Sequence, residues 1–244
     1  MGTHIVIDRG NTRTKIGVYS GNRLVKVLTG SRFSTANLRD LISRFEPEAV
    51  LLSAVAKIPV SWRKLFSTRT HLVVLDNNTP IPTKNRSSTP ATLGTDRIAA
   101  AVAGQHMYPE KNVLVVDVGT CIKYDFIDAG GNYRGGSISP GIRMRLNAMH
   151  HFTDRLPFLE PKRIGGFLGK DTYGSMMTGA VVGAALEIEG FAVKYRKKYR
   201  SLKVVITGGD ALLLSDHLKI GIFAAPELVL DGLHQILLHA IKKS

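Results

Sequence analysis

The sequence predicts an α/β fold built from two related halves. Short apolar runs rich in Val, Ile and Leu alternate with helical patterns along most of the 244 residues, and this alternation is typical of sheets flanked by helices. A motif is also repeated: residues 8–11 (Asp-Arg-Gly-Asn) follow one apolar run, and residues 117–120 (Asp-Val-Gly-Thr) follow another about half the chain later. Each copy precedes a second strand candidate, so the repeat indicates a duplicated fold.

The first half begins with a predicted β-meander. Gly21 and Asn22 form the turn between its last two strands, and buried strand candidates then alternate with helical patterns. The predicted elements are strands at 4–7, 15–19, 24–27, 49–52 and 72–75, helices at 38–45 and 62–66, an extended polar loop at 77–90, and a helix from Thr95 through Ala103.

Residues 109–112 (Pro-Glu-Lys-Asn) are the predicted boundary between an N-terminal lobe, residues 1–109, and a C-terminal lobe, residues 110–244. Small residues in the longest helical pattern, among them Gly179 and Gly183, permit close packing against that helix. The predicted elements of this lobe are strands at 113–116, 123–127 and 204–206, glycine turns at 130–132 and 207–209, and helices at 172–199, 212–214 and 227–241.

Composition limits the classes of function. Hydrophobic residues make up 44% of the chain, enough for a sizeable core. The single cysteine, Cys121, excludes an internal disulfide and a Cys/His metal cluster. No uninterrupted apolar run has membrane-spanning length and no secretory leader pattern begins the chain, so we expect a cytoplasmic protein with no membrane partner. The net charge of +14 fits anionic ligands, nucleic acid or a solvated basic surface, and we favour the last.

The repeated motif suits binding of a polyphosphate. Glycine lets the backbone approach a phosphate closely, and Asn or Thr adds a side-chain hydrogen bond. Aspartate at a strand end, here Asp8 or Asp117, holds a cation that neutralises phosphate oxygens. The turn at residues 207–209 suits a phosphate lying against a helix N-terminus. Each motif alone is also typical of an ordinary turn; strand-end placement, duplication and the third glycine turn together favour the functional interpretation.

Other phosphate-binding schemes fail on spacing. The stretch at residues 165–171 (Gly-Gly-Phe-Leu-Gly-Lys-Asp) comes nearest to a Walker A motif, but its spacing differs and the residue after lysine has no hydroxyl. No G-x-G-x-x-G follows a strand, and the H-R-D and D-F-G motifs of protein kinases are absent.

These motifs together resemble a known superfamily. Hairpins of this type with a late Thr-Gly-Gly are similar to those of the acetate and sugar kinase, Hsp70 and actin superfamily. Within it, the sequence resembles the type III pantothenate kinases over nearly the whole chain. The stretches that carry this resemblance are DRGNT at 8–12, TPATLGTDR at 89–97, DVGT at 117–120, GGSISPGI at 135–142, TGG at 207–209 and DGL at 231–233.

The resemblance implies a duplicated actin-like, or ribonuclease H-like, two-lobed ATPase fold with mixed sheets flanked by helices. It implies phosphorylation of pantothenate by ATP, the first step of coenzyme A synthesis. The expected cofactors are a monovalent cation, K⁺ or NH₄⁺, and Mg²⁺ bound with ATP. The expected partners are ATP, pantothenate and a second copy of the chain, because members of this family are homodimers with sites near the subunit interface.

The resemblance also assigns site residues. Asp96 is the implied proton acceptor, Asp117 the implied ligand of the monovalent cation, and Thr172 an implied contact of pantothenate. The implied ATP contacts are Asp8, Arg9, Gly10, Asn11, Thr12, Arg13, Thr14, Lys15 and Thr120. The implied pantothenate contacts besides Thr172 are Gly94, Thr95, Asp96 and Arg97.

The chemistry of Asp96 and Arg97 agrees with these roles. A primary alcohol needs a base to accept its proton as it attacks, and a carboxylate supplies one. An adjacent arginine can hold a substrate carboxylate through two parallel hydrogen bonds. The competing interpretation is that Asp96 caps the helix that begins there and Arg97 is an exposed helical residue.

Two departures from the family pattern leave alternatives open. Ser87 replaces a tyrosine that usually lines the substrate site, so a kinase for a different small alcohol is one alternative. Arg9 replaces a small or apolar residue, and it either senses phosphate or pairs with an acid such as Asp125. A nucleic-acid-associated regulator on the same fold is the other alternative, motivated by the net charge of +14, although the intact acidic motif residues argue against it.

Overall fold

Two mixed β-sheets flanked by helices form the framework of the computed structural model, which describes residues 2–10, 12–54, 57–219 and 223–243. The α/β prediction is confirmed. In chain order the elements are β1 (Thr3–Arg9), β2 (Thr14–Ser20), β3 (Arg23–Gly30), α1 (Thr35–Phe45), β4 (Ala49–Ala54), α2 (Val60–Ser67), β5 (His71–Val74), β6 (Lys84–Asn85), α3 (Thr95–Met107), β7 (Val113–Val118), β8 (Cys121–Ile127), β9 (Asn132–Pro140), α4 (Ile142–His151), α5 (Thr172–Lys198), β10 (Lys203–Thr207), β11 (Phe223–Ala224) and α6 (Leu228–Ile241).

The chain divides by its internal contacts into two units, Met1–Met107 with Leu228–Ser244, and Tyr108–Glu227. The predicted C-terminal lobe, residues 110–244, therefore differs from the second unit at its C-terminal end, because α6 belongs to the first unit. The reason is close packing of α6 on α3: a Cβ placed on Gly232 would lie 1.9 Å from the carbonyl oxygen of Ala99.

The first unit is organised around the sheet β3-β2-β1-β4-β5. Strands β1, β2 and β3 pair antiparallel as the predicted meander, while β4 and β5 run parallel to β1. Alternate residues of β1 serve the two faces: Ile5 and Ile7 pack with α1 and α2, whereas Val6 packs with α3 and α6. Both faces are covered, so the strands are apolar almost throughout.

The second unit repeats this topology. Its own strands follow the order β11-β10-β7-β8-β9, with β7, β8 and β9 antiparallel and β10 parallel to β7. Strand for strand, β7-β8-β9 matches β1-β2-β3, and β10 and β11 match β4 and β5. The duplication predicted from the repeated motif is thus present in the strand order.

Helix α5 supplies much of the second core. Eight of its residues are buried, among them Met177, Val181 and Ile188. By length and composition alone α5 could cross a membrane, and the sequence expectation of no membrane-spanning run overlooked it. One such helix is weak evidence for a membrane span, because a buried core helix passes the same test, and α5 packs against β7 and α4.

Candidate active site

The first motif forms the β1–β2 hairpin. Asp8 lies directly opposite Lys15, and Arg9 lies opposite Thr14. The amide of Gly10 donates a 3.0 Å hydrogen bond to the carbonyl of Arg13, which closes the turn. Of the other predicted ATP contacts, Thr12 is exposed on this turn, and Asn11 lies outside the described residues.

The second motif forms the β7–β8 hairpin with the same pairing. Asp117 lies directly opposite Lys123, and its Oδ2 is 2.6 Å from the lysine Nζ. The amide of Gly119 donates to the carbonyl of Cys121 at 3.1 Å, leaving Thr120 exposed at the tip of the turn. The two turns differ in length by one residue, yet each places an aspartate across from a lysine.

The third motif lies beside the second hairpin. Thr207 pairs with Asp117 across the parallel strands β10 and β7. Gly208 has φ +99°, and a Cβ there would lie 2.2 Å from the carbonyl oxygen of Val118 and 2.6 Å from Asp117 Oδ1. Glycine is required on both grounds. The expected helix after this turn is only the four-residue 3-10 turn Ala211–Leu214, so a helix N-terminus for phosphate is not formed there.

The two oxygens beside Gly208 are candidate ligands for a cation. One is a carboxylate oxygen and the other a backbone carbonyl, and hard cations are bound by oxygen ligands. The carbonyl of Val118 also accepts the amide of Asp210 at 3.0 Å. Within the described ranges, no group of three or more His, Cys, Asp or Glu side chains could hold a metal ion.

Asp96 lies in the first turn of α3. Its Oδ1 accepts the amide of Arg97 at 2.9 Å, and the carbonyl of Gly94 accepts the amides of Arg97 and Ile98. A Cβ on Gly94 would lie 2.5 Å from that same Oδ1, so glycine leaves room for the carboxylate. The carboxylate thus bonds a backbone amide in the first turn of α3, but Asp96 is the second residue of this helix and not its N-cap. The carboxylate nevertheless remains partly exposed.

A hydroxyl pair joins β4, the strand next to the first hairpin, to α3. Ser53, at the C-terminal end of β4, pairs with Asp8 across parallel strands, and its Oγ donates to Thr95 Oγ1 at 2.9 Å. The helix that carries Asp96 is therefore tied to the strand next to Asp8. Sequence reasoning missed Ser53, although a serine directly after a buried strand is a recognisable signal, since strand C-terminal ends carry ligand sites in α/β sheets.

Arg9 is held within the first unit. Its guanidinium lies 5.6 Å from the ring centroid of Trp62, and its Nη1 donates to the carbonyl of Lys57. A cation over an indole face is attracted by the ring quadrupole. Ser87 sits in a local turn, where its Oγ accepts the amide of Thr89 at 3.3 Å.

Thr172 is the first residue of α5 and is exposed. The helix is capped by Asp171, whose Oδ1 accepts the amide of Gly174 at 2.6 Å. The predicted residues therefore form two groups. Those at 8–15 and 94–97 lie in the first unit, and Asp117, Thr120 and Thr172 lie in the second.

The duplicated sheet and paired phosphate-type hairpins define the actin-like ATPase and sugar kinase fold. The structure resembles a Thermus thermophilus ROK hexokinase (TM-score 0.51, 16% identity, 99% of each chain) and component A of the Acidaminococcus fermentans (R)-2-hydroxyglutaryl-CoA dehydratase (TM-score 0.55, 14% identity, 100% and 99%). It also resembles a Campylobacter jejuni protein described as a Baf family transcriptional activator (TM-score 0.62, 20% identity, 98% and 99%). At these identities the likeness shows the fold alone.

Sequence comparison narrows the class to one family. The type III pantothenate kinase family model matches residues 4–194. The chain is 39% identical over 235 residues to the type III pantothenate kinase of Phocaeicola vulgatus, covering 96% of this chain and 97% of the relative. It is 41% identical over 234 residues to that of Cytophaga hutchinsonii, covering 96% and 98%. The chain belongs to the type III pantothenate kinase family, as the motif resemblance predicted.

Proposed function

We propose that this chain transfers the terminal phosphoryl group of ATP to the hydroxyl of pantothenate, as the first step of coenzyme A synthesis. Membership of the family supports the activity. The structural observation that carries it is the pair of equivalent hairpins, each with an aspartate opposite a lysine. Because the reaction consumes ATP, we place it in the cytoplasm. A nucleic-acid-associated regulator is not favoured, since the relatives matched over nearly the full chain are kinases.

The hairpins hold the triphosphate. Backbone amides in glycine turns and the nearby lysines, Lys15 and Lys123, suit phosphate oxygens, and ATP carries Mg²⁺ with it. Phosphoryl transfer needs positioning and charge neutralisation more than covalent chemistry from the protein. The proposed ATP contacts are Asp8, Arg9, Gly10, Asn11, Thr12, Arg13, Thr14, Lys15 and Thr120.

Asp96 accepts the proton of the pantothenate hydroxyl as it attacks. To act as the base, this carboxylate must lie within hydrogen-bond reach of the alcohol. Arg97, next to it, offers a bidentate partner for the pantothenate carboxylate. Gly94, Thr95 and Thr172 complete the proposed substrate contacts.

Asp117 and the carbonyl of Val118 hold a monovalent cation, K⁺ or NH₄⁺. The two oxygens converge beside Gly208, and Lys123 already balances the other carboxylate oxygen of Asp117. A singly charged ion at this position supplies further positive charge to the phosphate groups.

A second copy of the chain packs on α5. Residues 179, 183, 186, 190 and 193 recur at alternating intervals of four and three, which places them on one stripe of the helix. Three of them are glycines whose positions leave open space, and Leu186 and Val193 are 60% and 43% exposed. Small residues permit close approach of a partner helix, and exposed apolar side chains favour burial. Thr172 begins this same helix, which suits sites near the subunit interface.

The activity is tested by ADP release with pantothenate, in buffers containing K⁺, NH₄⁺ or Li⁺ as the only monovalent cation. We expect turnover with pantothenate that depends on K⁺ or NH₄⁺, and loss of that dependence in Asp117→Asn. Related hydroxy acids offered in competition determine whether Ser87 has changed the acceptor. Turnover with another alcohol and none with pantothenate would overturn the substrate assignment.

A further inference from the structure

We propose that Glu187 is a positioning residue for the phosphate turn at residues 119–120, acting through Arg145 and the Pro140–Gly141 step. The inference rests on the proposed function of that turn in binding ATP. Glu187 lies on α5, away from the residues assigned to ATP, and its side chain is 26% exposed.

Glu187 gathers three side chains from three different elements. Its Oε1 accepts the hydroxyl of Tyr124 on β8 at 2.8 Å and the hydroxyl of Ser139 on β9 at 2.5 Å. Its Oε2 pairs with the guanidinium of Arg145 on α4. Burial alone would raise the pKa of Glu187, but the hydrogen bonds from Ser139, Arg145 and Tyr124 outweigh burial and hold that pKa below its ordinary value. The carboxylate is therefore ionised at neutral pH.

Arg145 transmits this arrangement to the chain before α4. While one guanidinium nitrogen pairs with Glu187, Nε donates to the carbonyl of Pro140 at 2.9 Å. The planar guanidinium holds both partners in a fixed relation, which a lysine ammonium does not. Ser139, bound to the same carboxylate, immediately precedes Pro140 in β9. The Pro140–Gly141 step is thus held from both sides.

Gly141 presses directly on the phosphate turn. Its amide donates to the carbonyl of Thr120 at 3.1 Å. A Cβ on Gly141 would lie 2.0 Å from the carbonyl oxygen of Gly119 and 2.6 Å from that of Thr120. The two segments are in direct contact at this point, so a shift of Gly141 displaces the peptide groups of the turn.

The consequence is specific to nucleotide binding. The series of contacts that starts at Glu187 and passes through Arg145, Pro140 and Gly141 ends on the peptide groups of residues 119–120. All of these residues lie in the second unit. Glu187→Gln retains an acceptor for Tyr124 and Ser139 but removes the negative charge, and it can turn an amide N–H toward the guanidinium of Arg145. The Arg145 link loosens while the core hydrogen bonds remain.

The test measures ATP affinity directly. In the full-length Glu187→Gln protein we expect the dissociation constant for ATP, measured by calorimetry without pantothenate, to rise about threefold to thirtyfold. The KM for ATP rises with it, whereas the KM for pantothenate stays within about twofold of the wild-type value. Glu189→Gln is the matched control: it lies two residues further along α5 and accepts the amide of Lys219 at 2.7 Å. It leaves ATP affinity unchanged.

Two further variants separate positioning from general destabilisation. Arg145→Lys keeps the positive charge but loses the fixed link to Pro140, so we expect it to weaken ATP binding as Glu187→Gln does. If Glu187→Gln does not fold, the ATP affinity of Arg145→Lys tests the inference instead. The double variant binds ATP no more weakly than the worse single variant, because both changes break one path. Unchanged ATP affinity in folded Glu187→Gln, or equal losses for both substrates, would overturn the inference. A wild-type protein that bound no ATP would overturn the proposed function instead.

Discussion

The hydroxyl of Ser53 donates a 2.9 Å hydrogen bond to the hydroxyl of Thr95, and this bond joins the end of β4 to the start of α3. Asp8 on β1 lies opposite Ser53 across the parallel strands β1 and β4, and Asp96 directly follows Thr95 in the sequence. One hydrogen bond therefore connects the strand next to the proposed triphosphate contacts with the helix that carries the proposed base.

Removing this bond with Ser53→Ala loosens the start of α3. Ser53 is 1% exposed, so its loss leaves a polar partner without its bond, and we expect a destabilisation of about 1–3 kcal/mol in urea unfolding. We also expect a lower kcat with little change in the KM for ATP, because Asp96 moves and the hairpin does not. Ser67→Ala, at the exposed end of α2, serves as the control. A Ser53→Ala enzyme with wild-type kcat would show that the bond only stabilises the fold.

Asp96→Asn tests the proposed base. The amide oxygen still accepts the amide of Arg97, so the helix start and the melting temperature are retained, but the group no longer accepts a proton. We expect kcat to fall by at least about 100-fold with an intact circular dichroism spectrum. Asp40→Asn, on an exposed face of α1, is the matched control and keeps full turnover. Near wild-type turnover in Asp96→Asn would refute the assignment.

Buried histidines make the stability of the first unit depend on pH. His234 is 1% exposed, and its Nε2 lies 3.1 Å from the Nδ1 of His4. Its ring stacks on that of Tyr19, with the ring centroids 4.0 Å apart. Burial, with the nearby His4 and His106, lowers the pKa of His234 to about 4. Burial also lowers the pKa of His4, partly opposed by Glu48.

Proton binding determines whether stability rises or falls with pH. The unfolded imidazole has a pKa of about 6.5, so the unfolded chain binds more protons than the folded chain between that value and the folded pKa. Stability is therefore full above about pH 6.5 and declines as the pH falls toward about 4. Denaturant midpoints measured across this range check it. His234→Gln is expected to reduce the decline, and the exposed His71→Gln to leave it unchanged; a wild-type midpoint independent of pH would contradict the argument.

Leu186→Glu tests the proposed dimer surface on α5. A carboxylate at the centre of the apolar stripe meets its own copy across a two-fold axis, and the burial of a like-charged pair is unfavourable. We expect sedimentation to report a dimer for the wild-type protein and a monomer for Leu186→Glu. Val60→Glu, which changes a residue that is 75% exposed on α2, remains dimeric. A Leu186→Glu dimer of unchanged affinity would place the interface elsewhere.

Much of the framework could be predicted from local signals. The first meander, β4, β7 and the long helix α5 are evident because side-chain periodicity reflects burial within a few residues of chain. Strand β9 was missed as an element, because its glycines depress strand propensity. Gly136 is needed there for a tertiary reason: a Cβ would lie 1.6 Å from the carbonyl oxygen of Tyr124. The segment Ala211–Leu214 is predicted as a helix but forms only a 3-10 turn. Local side-chain preference does not show where such a short segment ends.

The sequence by itself determined the family, the duplicated α/β architecture and the aspartates at the strand ends, because these depend on short motifs in a fixed order. Only the tertiary structure decided that α6 packs on α3, that Ser53 bonds Thr95, and that Glu187 and Arg145 brace the turn at residues 119–120. Each of these joins residues far apart in the chain. Which distant groups meet depends on the packing of whole elements, and local side-chain preference carries no record of it.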